Sequence, residues 1–285
     1  MTLNFTEATA YRKKWMPNLF QEVLHNALIA EKICQVDTSD VKYIENPYHS
    51  AGSVTQQATV GTYNVATFTV TADTLTVSEE FVWSEQVYDF ESVAAVTDVK
   101  GSRMSEAMAQ MATSIDKYVL NAIGTDATGT YTTPVGGFAA ANMNQIVGDL
   151  IAKVSGFATP LNKMYVVIEQ SDVSGVIQAG MANGFNFADS WLNNGWVGNY
   201  GGLNFYIAKS GTFVTTTLGS KSVTMSGKRL AGITNITTYC RPGSRMSWME
   251  KEVSGKTGVE LAMVAYCGAK VWAQKATLTF RITLA

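Results

Sequence analysis

At 285 residues the chain is long enough for one large domain or two smaller ones, and it can bury roughly 75% of the surface that an extended chain exposes. Its 21 Lys and Arg nearly balance 23 Asp and Glu, and the net charge of −2 excludes a uniformly basic nucleic-acid binder while leaving room for segregated charge. Cys34, Cys240 and Cys267 form an odd set without Cys-x-x-Cys spacing, which fits neither a disulfide framework nor a zinc site. Buried, reduced thiols are expected. The first residues lack the basic head and apolar run of a signal peptide, and no window approaches the roughly 18 apolar residues of a membrane span. The expectation is an intracellular protein with no membrane partner.

Residues 1–16 read as an arm that carries Arg12, Lys13 and Lys14 beside Tyr11 and Trp15. Pro17 stands at a first helical position, and Leu19/Phe20, Val23/Leu24 and Ala27/Leu28 recur at helical spacing through about Ile33, which predicts an amphipathic helix. The basic triplet reads as a solvated face, with packaged nucleic acid or a neighbouring subunit as the sharper alternative. From 53 to 83 the period changes to two. Ala66, Phe68 and Val70 fall on one face and Thr67, Thr69 and Thr71 on the other. The phase slips at Asp73-Thr74, which predicts a turn or bulge in a long β-hairpin. Such a hairpin is marginal alone in water and needs a partner surface.

Residues 90–123 predict a long helix. Met104, Met108, Met111, Ile115 and Tyr118/Val119 are spaced by threes and fours, alanines 107, 109 and 112 supply propensity, and Gly124 stands where a C-terminal cap is wanted. The methionines read as adaptable core. Between 124 and 235 the pattern runs as a Thr/Gly-rich loop (124–137), a helix (142–155), a strand (164–168), a helix (172–180), a Gly/Asn-rich loop, a strand (203–208) and a floppy Ser/Thr/Gly segment (210–227). Helices and strands alternating with glycine loops predict an α+β layer. Strand character returns at 236–240, 245–252, 259–266 and 277–284, with Gly255 and Gly258 as a hairpin turn. No repeat at solenoid or propeller period is present.

Catalytic patterns are sparse. The two histidines, His25 and His49, have no second ligand spaced for a metal, and familiar hydrolases lack their base here. Gly255-Lys256-Thr257 imitates the end of a phosphate loop, yet Glu250 occupies the place of the glycine required five residues earlier. Asn199 to Gly202 lacks the strand-then-helix context of a dinucleotide site. Glu79-Glu80 and Glu250/Glu252 could pair as acid and base, but they fall on strands that face solvent half the time. The expectation is a protein that is not an enzyme, with no catalytic, cofactor-binding or metal-ligating residues.

The run from Leu192 to Ser210, in which Gly195, Gly198 and Gly201-Gly202 punctuate an apolar strand, resembles the central domain of Hong Kong 97-type major capsid proteins of tailed bacteriophages. Ala112 to Leu120, with Ile115-Asp116, resembles the end of their spine helices. Gly258-Val259-Glu260-Leu261, followed by Tyr266-Cys267-Gly268-Ala269-Lys270-Val271, resembles their closing peripheral strand. The resemblance implies an α+β fold with an N-terminal arm and helix at 1–50 and an extended β-hairpin, the E-loop, at 51–88. It further implies a spine helix and peripheral domain at 89–137, an apical domain at 138–235 and peripheral strands at 236–285. It implies self-assembly into homo-hexamers and pentamers of an icosahedral virion shell, built in the host cytoplasm around double-stranded DNA held by non-specific contact. Arg12, Lys13 and Lys14 would be the DNA-facing arm. A portal is an implied partner, and so is a separate scaffolding protein, because the chain starts almost directly with the arm. The alternatives are an encapsulin-type nanocompartment shell, or a Thr/Gly-rich surface-adhesion or glycan-binding module.

Charge along the chain is segregated. Residues 43–99 hold eight acids and no Lys or Arg, a net of −8, so the E-loop lysine with which some relatives weld their subunits is missing. Residues 221–285 hold ten basic and three acidic residues, a net of +7. Each run could be a solvated face. In the resembling family, however, the E-loop of one subunit lies over the peripheral domain of the next. That geometry implies an intersubunit pairing of Glu79, Glu80 and Glu85 with Arg241, Arg245 and Lys251.

Overall fold

A computed structural model of the chain describes residues 28–49, 70–88, 99–155, 163–182, 196–242, 247–252 and 258–285. One sheet has six strands in the order β5 (Gly129–Thr132), β15 (Thr279–Thr283), β11 (Lys228–Ile233), β6 (Met164–Glu169), β8 (Leu203–Ala208) and β7 (Trp196–Tyr200). Its centre, β6, is an unbroken apolar run, as expected of a strand covered on both faces. Met164, Val166 and Ile168 enter one core with Met143, Ile146, Leu150 and Val154 of α3 (Met143–Ser155), which repeat at helical spacing. Tyr165 and Val167 point the other way, into a second core. The helix α4 (Val173–Ala182) adds Val176 and Ala179 to the first core.

The second core is built around the long helix α2 (Val99–Asp126), which buries Met111, Ile115, Tyr118, Val119, Ala122 and Ile123. Across it lies the other large sheet, organised by the 14-residue strand β14 (Gly258–Val271). The first part of β14 pairs antiparallel with β4 (Glu79–Tyr88) on one side and β13 (Ser247–Glu252) on the other. Its last part pairs with β12 (Thr237–Cys240), which in turn pairs in parallel with β1 (Gln35–Asp37). Met263, Ala265 and Cys267 of β14 face α2, and Phe81 of β4 meets Tyr118 edge to face at 6.0 Å. The short helix α1 (Ile29–Ile33) completes this core. A two-stranded ribbon, β2 (Tyr43–His49) with β3 (Val70–Thr76), sits over a small third cluster of Leu75, Val77, Cys240 and Trp272.

Several expectations are corrected. No turn or bulge interrupts Asp73-Thr74, because the β2–β3 ladder runs unbroken from Tyr43 opposite Thr76 to His49 opposite Val70. The phase slip has another cause. Asp73 accepts from Lys270 Nζ of β14 and, at 3.0 Å, from the amide of Ala273 just beyond that strand. Gly124 is not a cap, since α2 continues to Asp126. It is small because the side chain of Met225 crosses the helix there, its sulfur 2.5 Å from where a Cβ would stand. Met108 is 51% exposed, so the methionine stripe is not uniformly core. The floppy segment holds an antiparallel hairpin, β9 (Thr215–Leu218) with β10 (Lys221–Thr224), and the Thr/Gly-rich loop holds β5. Of the strands within 236–285, β12, β13 and β14 belong to the other large sheet and β15 to the six-stranded one, which leaves the domain bounds as an expectation. Of the predicted helix at 17–33, residues 29–33 are helical and Leu28 before them is extended, while 17–27 lie outside the described residues together with 50–69 and 89–98.

Candidate assembly surfaces

Among the described residues, two strand surfaces carry apolar side chains outward. On β4 the alternation places Phe81 and Trp83 toward the core and Glu80, Val82, Ser84 and Gln86 outward, with Val82 60% exposed. Ala262, Val264 and Tyr266 of β14 lie beside them in register and are half-buried. The second surface is the outer face of the β2–β3 ribbon, where Tyr43, Pro47, Val70 and Ala72 are exposed. Its root is fixed by the Asp73–Lys270 pair and by the amide of Val77 donating to the carbonyl of Lys42 at 2.9 Å. Trp272 Nε1 donates to Thr238 Oγ1 at 2.8 Å below it. Two strands alone are marginal in water, so this anchoring is what makes the ribbon a defined surface.

The acids singled out by charge have partners in their own chain. Glu79 is only 5% exposed and accepts from the Ser220 amide at 3.1 Å and from the Ser220 hydroxyl. It therefore clasps the β9–β10 turn onto the start of β4. Glu80 accepts from the Tyr266 hydroxyl at 3.0 Å. Glu85 lies 3.5 Å from Arg103 of α2, which also binds Glu106 at 2.9 Å. Arg241 pairs with Glu31 of α1 at 2.8 Å. Lys251 stands opposite Glu260 in the β13–β14 ladder. Arg245, Arg12, Lys13 and Lys14 lie outside the described residues. Among the described side chains, then, the chain does not bring these acids onto Arg241.

Other polar residues hold the frame, and periodicity did not single them out. Asn121 of α2 is fully buried. Its side-chain amide donates to the carbonyl of Thr212 at 2.7 Å, and its oxygen accepts from the Val214 amide at 2.9 Å. Lys221 reaches Asp126 at 2.6 Å. Arg229, 4% exposed, binds Asp172 at 2.5 Å and Glu169 at 3.1 Å, and its guanidinium lies over the Phe213 ring. The legible signal was a polar residue inside an apolar stretch, such as Asn121 between Leu120 and Ala122, since a buried polar group demands a partner.

The three cysteines are free and buried. Burial pushes Cys34 up to about 12 and Cys240 up to about 11, and raises Cys267 as well, which suppresses the reactive thiolate. Among the described residues no group of His, Cys, Asp and Glu could hold a metal ion, and no helix is long and apolar enough to cross a membrane.

No protein-family model matches the chain, and no curated protein matches it in sequence. Solved structures do. A chain of Mycobacterium phage Che8 superposes with a TM-score of 0.71 at 12% identity, over 94% of this chain and 95% of that one. The capsid structure of cyanophage P-SCSP1u gives a TM-score of 0.71 at 12% identity, over 95% and 92%. The capsid of a native GTA particle gives 0.68 at 14% identity, over the full length of both chains. The class thus defined is an α+β phage-capsid fold. It is the Hong Kong 97-type fold that the glycine-punctuated run, the long helix and the closing strand led us to expect.

Proposed function

We propose that the chain is a major capsid protein, a structural and non-catalytic subunit that assembles with its own copies into hexamers and pentamers of an icosahedral shell enclosing double-stranded DNA. The observation that carries this reading is the reach of the likeness, which extends over 94–100% of this chain and 92–100% of the phage and GTA chains and so covers a whole subunit rather than one shared domain. The exposed ribbon face and the Val82 face of β4 support it, because paired apolar positions of this kind are covered in an assembly. On this reading 1–50 is the arm, 51–88 the E-loop, 89–137 the spine helix with part of the peripheral domain, 138–235 the apical domain and 236–285 the peripheral strands. A scaffolding protein and a portal are the partners, Arg12, Lys13 and Lys14 lie against packaged DNA without base specificity, and the virion is the destination. Glu80 and Glu85, with Glu79 fixing their strand, face Arg245, Lys251 and Arg241 of a neighbouring subunit.

Expression together with a scaffolding protein, followed by gradient sedimentation and negative-stain microscopy, tests the reading. Closed shells are the expected product. Monodisperse monomer at every concentration, with the scaffold present, would overturn it.

A further inference from the structure

The side-chain hydroxyls of Tyr165, Tyr239 and Thr279 belong to fully buried residues and have no hydrogen-bond partner among the described residues. A buried hydroxyl forfeits its bonds to bulk water, so in folded proteins it finds a protein group or an ordered water instead. Two of these three lie in one row of the six-stranded sheet. Tyr165 of β6 stands opposite Gly232 of β11, and Gly232 stands opposite Thr279 of β15. Both pairings are antiparallel, so the three residues share one face of the sheet, the face whose side chains enter the core around α2.

Gly232 puts no side chain between the two hydroxyls. The Tyr165 ring lies across it, with the hydroxyl oxygen 2.9 Å from where a Cβ of Gly232 would stand. That oxygen has thus crossed from β6 onto β11, and the next strand in the same direction carries Thr279. Neighbouring strands lie about 4.8 Å apart. Two hydrogen bonds of about 2.8 Å meeting at a tetrahedral water span about 4.6 Å, so a single water fits the gap. Tyr239 makes the contrast. Its neighbours in register are Val36 and Ala269, and neither side chain offers a second polar group.

We propose that Tyr165 Oη and Thr279 Oγ1 form a seat for one water molecule, which bridges β6 to β15 over Gly232 inside the core beneath α2. Each hydroxyl can donate or accept, so the water can be bonded by both in either sense. Burial pushes the Tyr165 hydroxyl well above its ordinary range, which keeps its proton in place. The occupant is neutral, because two uncharged hydroxyls in a cluster that includes Val167, Leu230 and Ala276 cannot offset the cost of burying an ion. The bridge links two strands that are not neighbours in the sheet, since β11 runs between them. Any side chain at position 232 would strike the Tyr165 ring and displace its hydroxyl from the seat. The inference rests on the subunit alone and stands apart from the shell reading.

A crystal structure or particle map of the unmodified chain, sharp enough to show ordered water, tests the seat directly. Density within hydrogen-bonding distance of both oxygens is expected. An empty map at that place, or the two hydroxyls bonded directly to each other, would overturn the proposal. Urea unfolding of Tyr165→Phe, Thr279→Val and the double variant gives a second reading. Either single replacement leaves the water and the remaining hydroxyl short of a partner, so each should lower the folding equilibrium constant by about threefold or more. The double variant should lose less than the product of the two single losses. Stabilisation by either single replacement, or losses that simply multiply, would mean that the hydroxyls do not share a partner and would also sink the idea.

Discussion

Arg229 holds Asp172 across the top of the six-stranded sheet, Nε to Oδ2 at 2.5 Å, and the same guanidinium reaches Glu169 at 3.1 Å. Glu169 also accepts from the amide of Phe213, at 3.2 Å, so one cation ties the end of β6, the start of α4 and the segment before β9 together. Arg229→Met keeps the bulk but leaves two largely buried carboxylates without their cation. Removing one partner of such a pair costs about 3–5 kcal/mol, far more than an exposed pair contributes. Thermal or urea unfolding of the variant is the measurement. A change under about 1 kcal/mol would show that water takes over the role of the guanidinium.

Gly175 lies inside α4, where alanine is intrinsically favoured by about 1 kcal/mol. A methyl group there would overlap the carbonyl oxygen of Phe138, which is backbone and cannot rotate away. Close packing therefore outweighs propensity, and Gly175→Ala should destabilise by about 1–3 kcal/mol. The melting temperature should fall. A rise would mean that the 134–142 segment yields freely.

Legibility in the sequence followed the range of the forces involved. Strand 203–208 emerges with both ends as read, because Gly201 and Gly202 take positive φ before it and polar Lys209 closes it. The long helix emerges because its apolar spacing repeats over many turns. The β9–β10 hairpin was missed because Thr215 to Thr224 offers little apolar alternation. Its order comes from distant partners, Glu79 on Ser220 and Asp126 on Lys221. Asp73 was misread for the same reason, since its partner Lys270 lies 197 residues away. The charge segregation itself was plain, but partner choice is a tertiary property, and Tyr266, Arg103 and Ser220 bind the three acids within the chain.

The buried thiols and the lysine-free span 43–99 predict that the subunits of a particle separate without a covalent cross-link. Alkylation of the native chain at pH 8 should label none of Cys34, Cys240 and Cys267, and all three in denaturant, because burial withholds both access and thiolate. Assembled particles boiled in denaturant with reductant should run as one band near 30.8 kDa. A ladder of multimers would show covalent welding by a route that needs no lysine in that span.

Charge complementarity between subunits, as proposed, is tested most cleanly at positions the fold can spare. Glu79 is unsuitable, because a lysine there would lose the Ser220 amide and bury a new charge at a site that is 5% exposed. Arg241 is unsuitable too, since an acid at that position would face Glu31. Glu80 and Glu85 can be reversed to lysine at small cost to the monomer, because their own pairs are partly or fully exposed. Individually such pairs contribute about 0–1 kcal/mol, and they act over about 8 Å at physiological salt. A shell repeats the contact in every subunit, so the effect should appear in the rate and fidelity of assembly rather than in folding. Glu80→Lys with Glu85→Lys should slow assembly followed by light scattering at low salt, with circular dichroism and melting unchanged. Adding Arg245→Glu should restore part of the rate, and raised salt should shrink the difference; Lys251 is left unchanged because it stands opposite Glu260. Normal assembly of the doubly reversed variant at low salt would leave the acidic run as a solvated face and remove the charge pairing from the account of how the subunits meet.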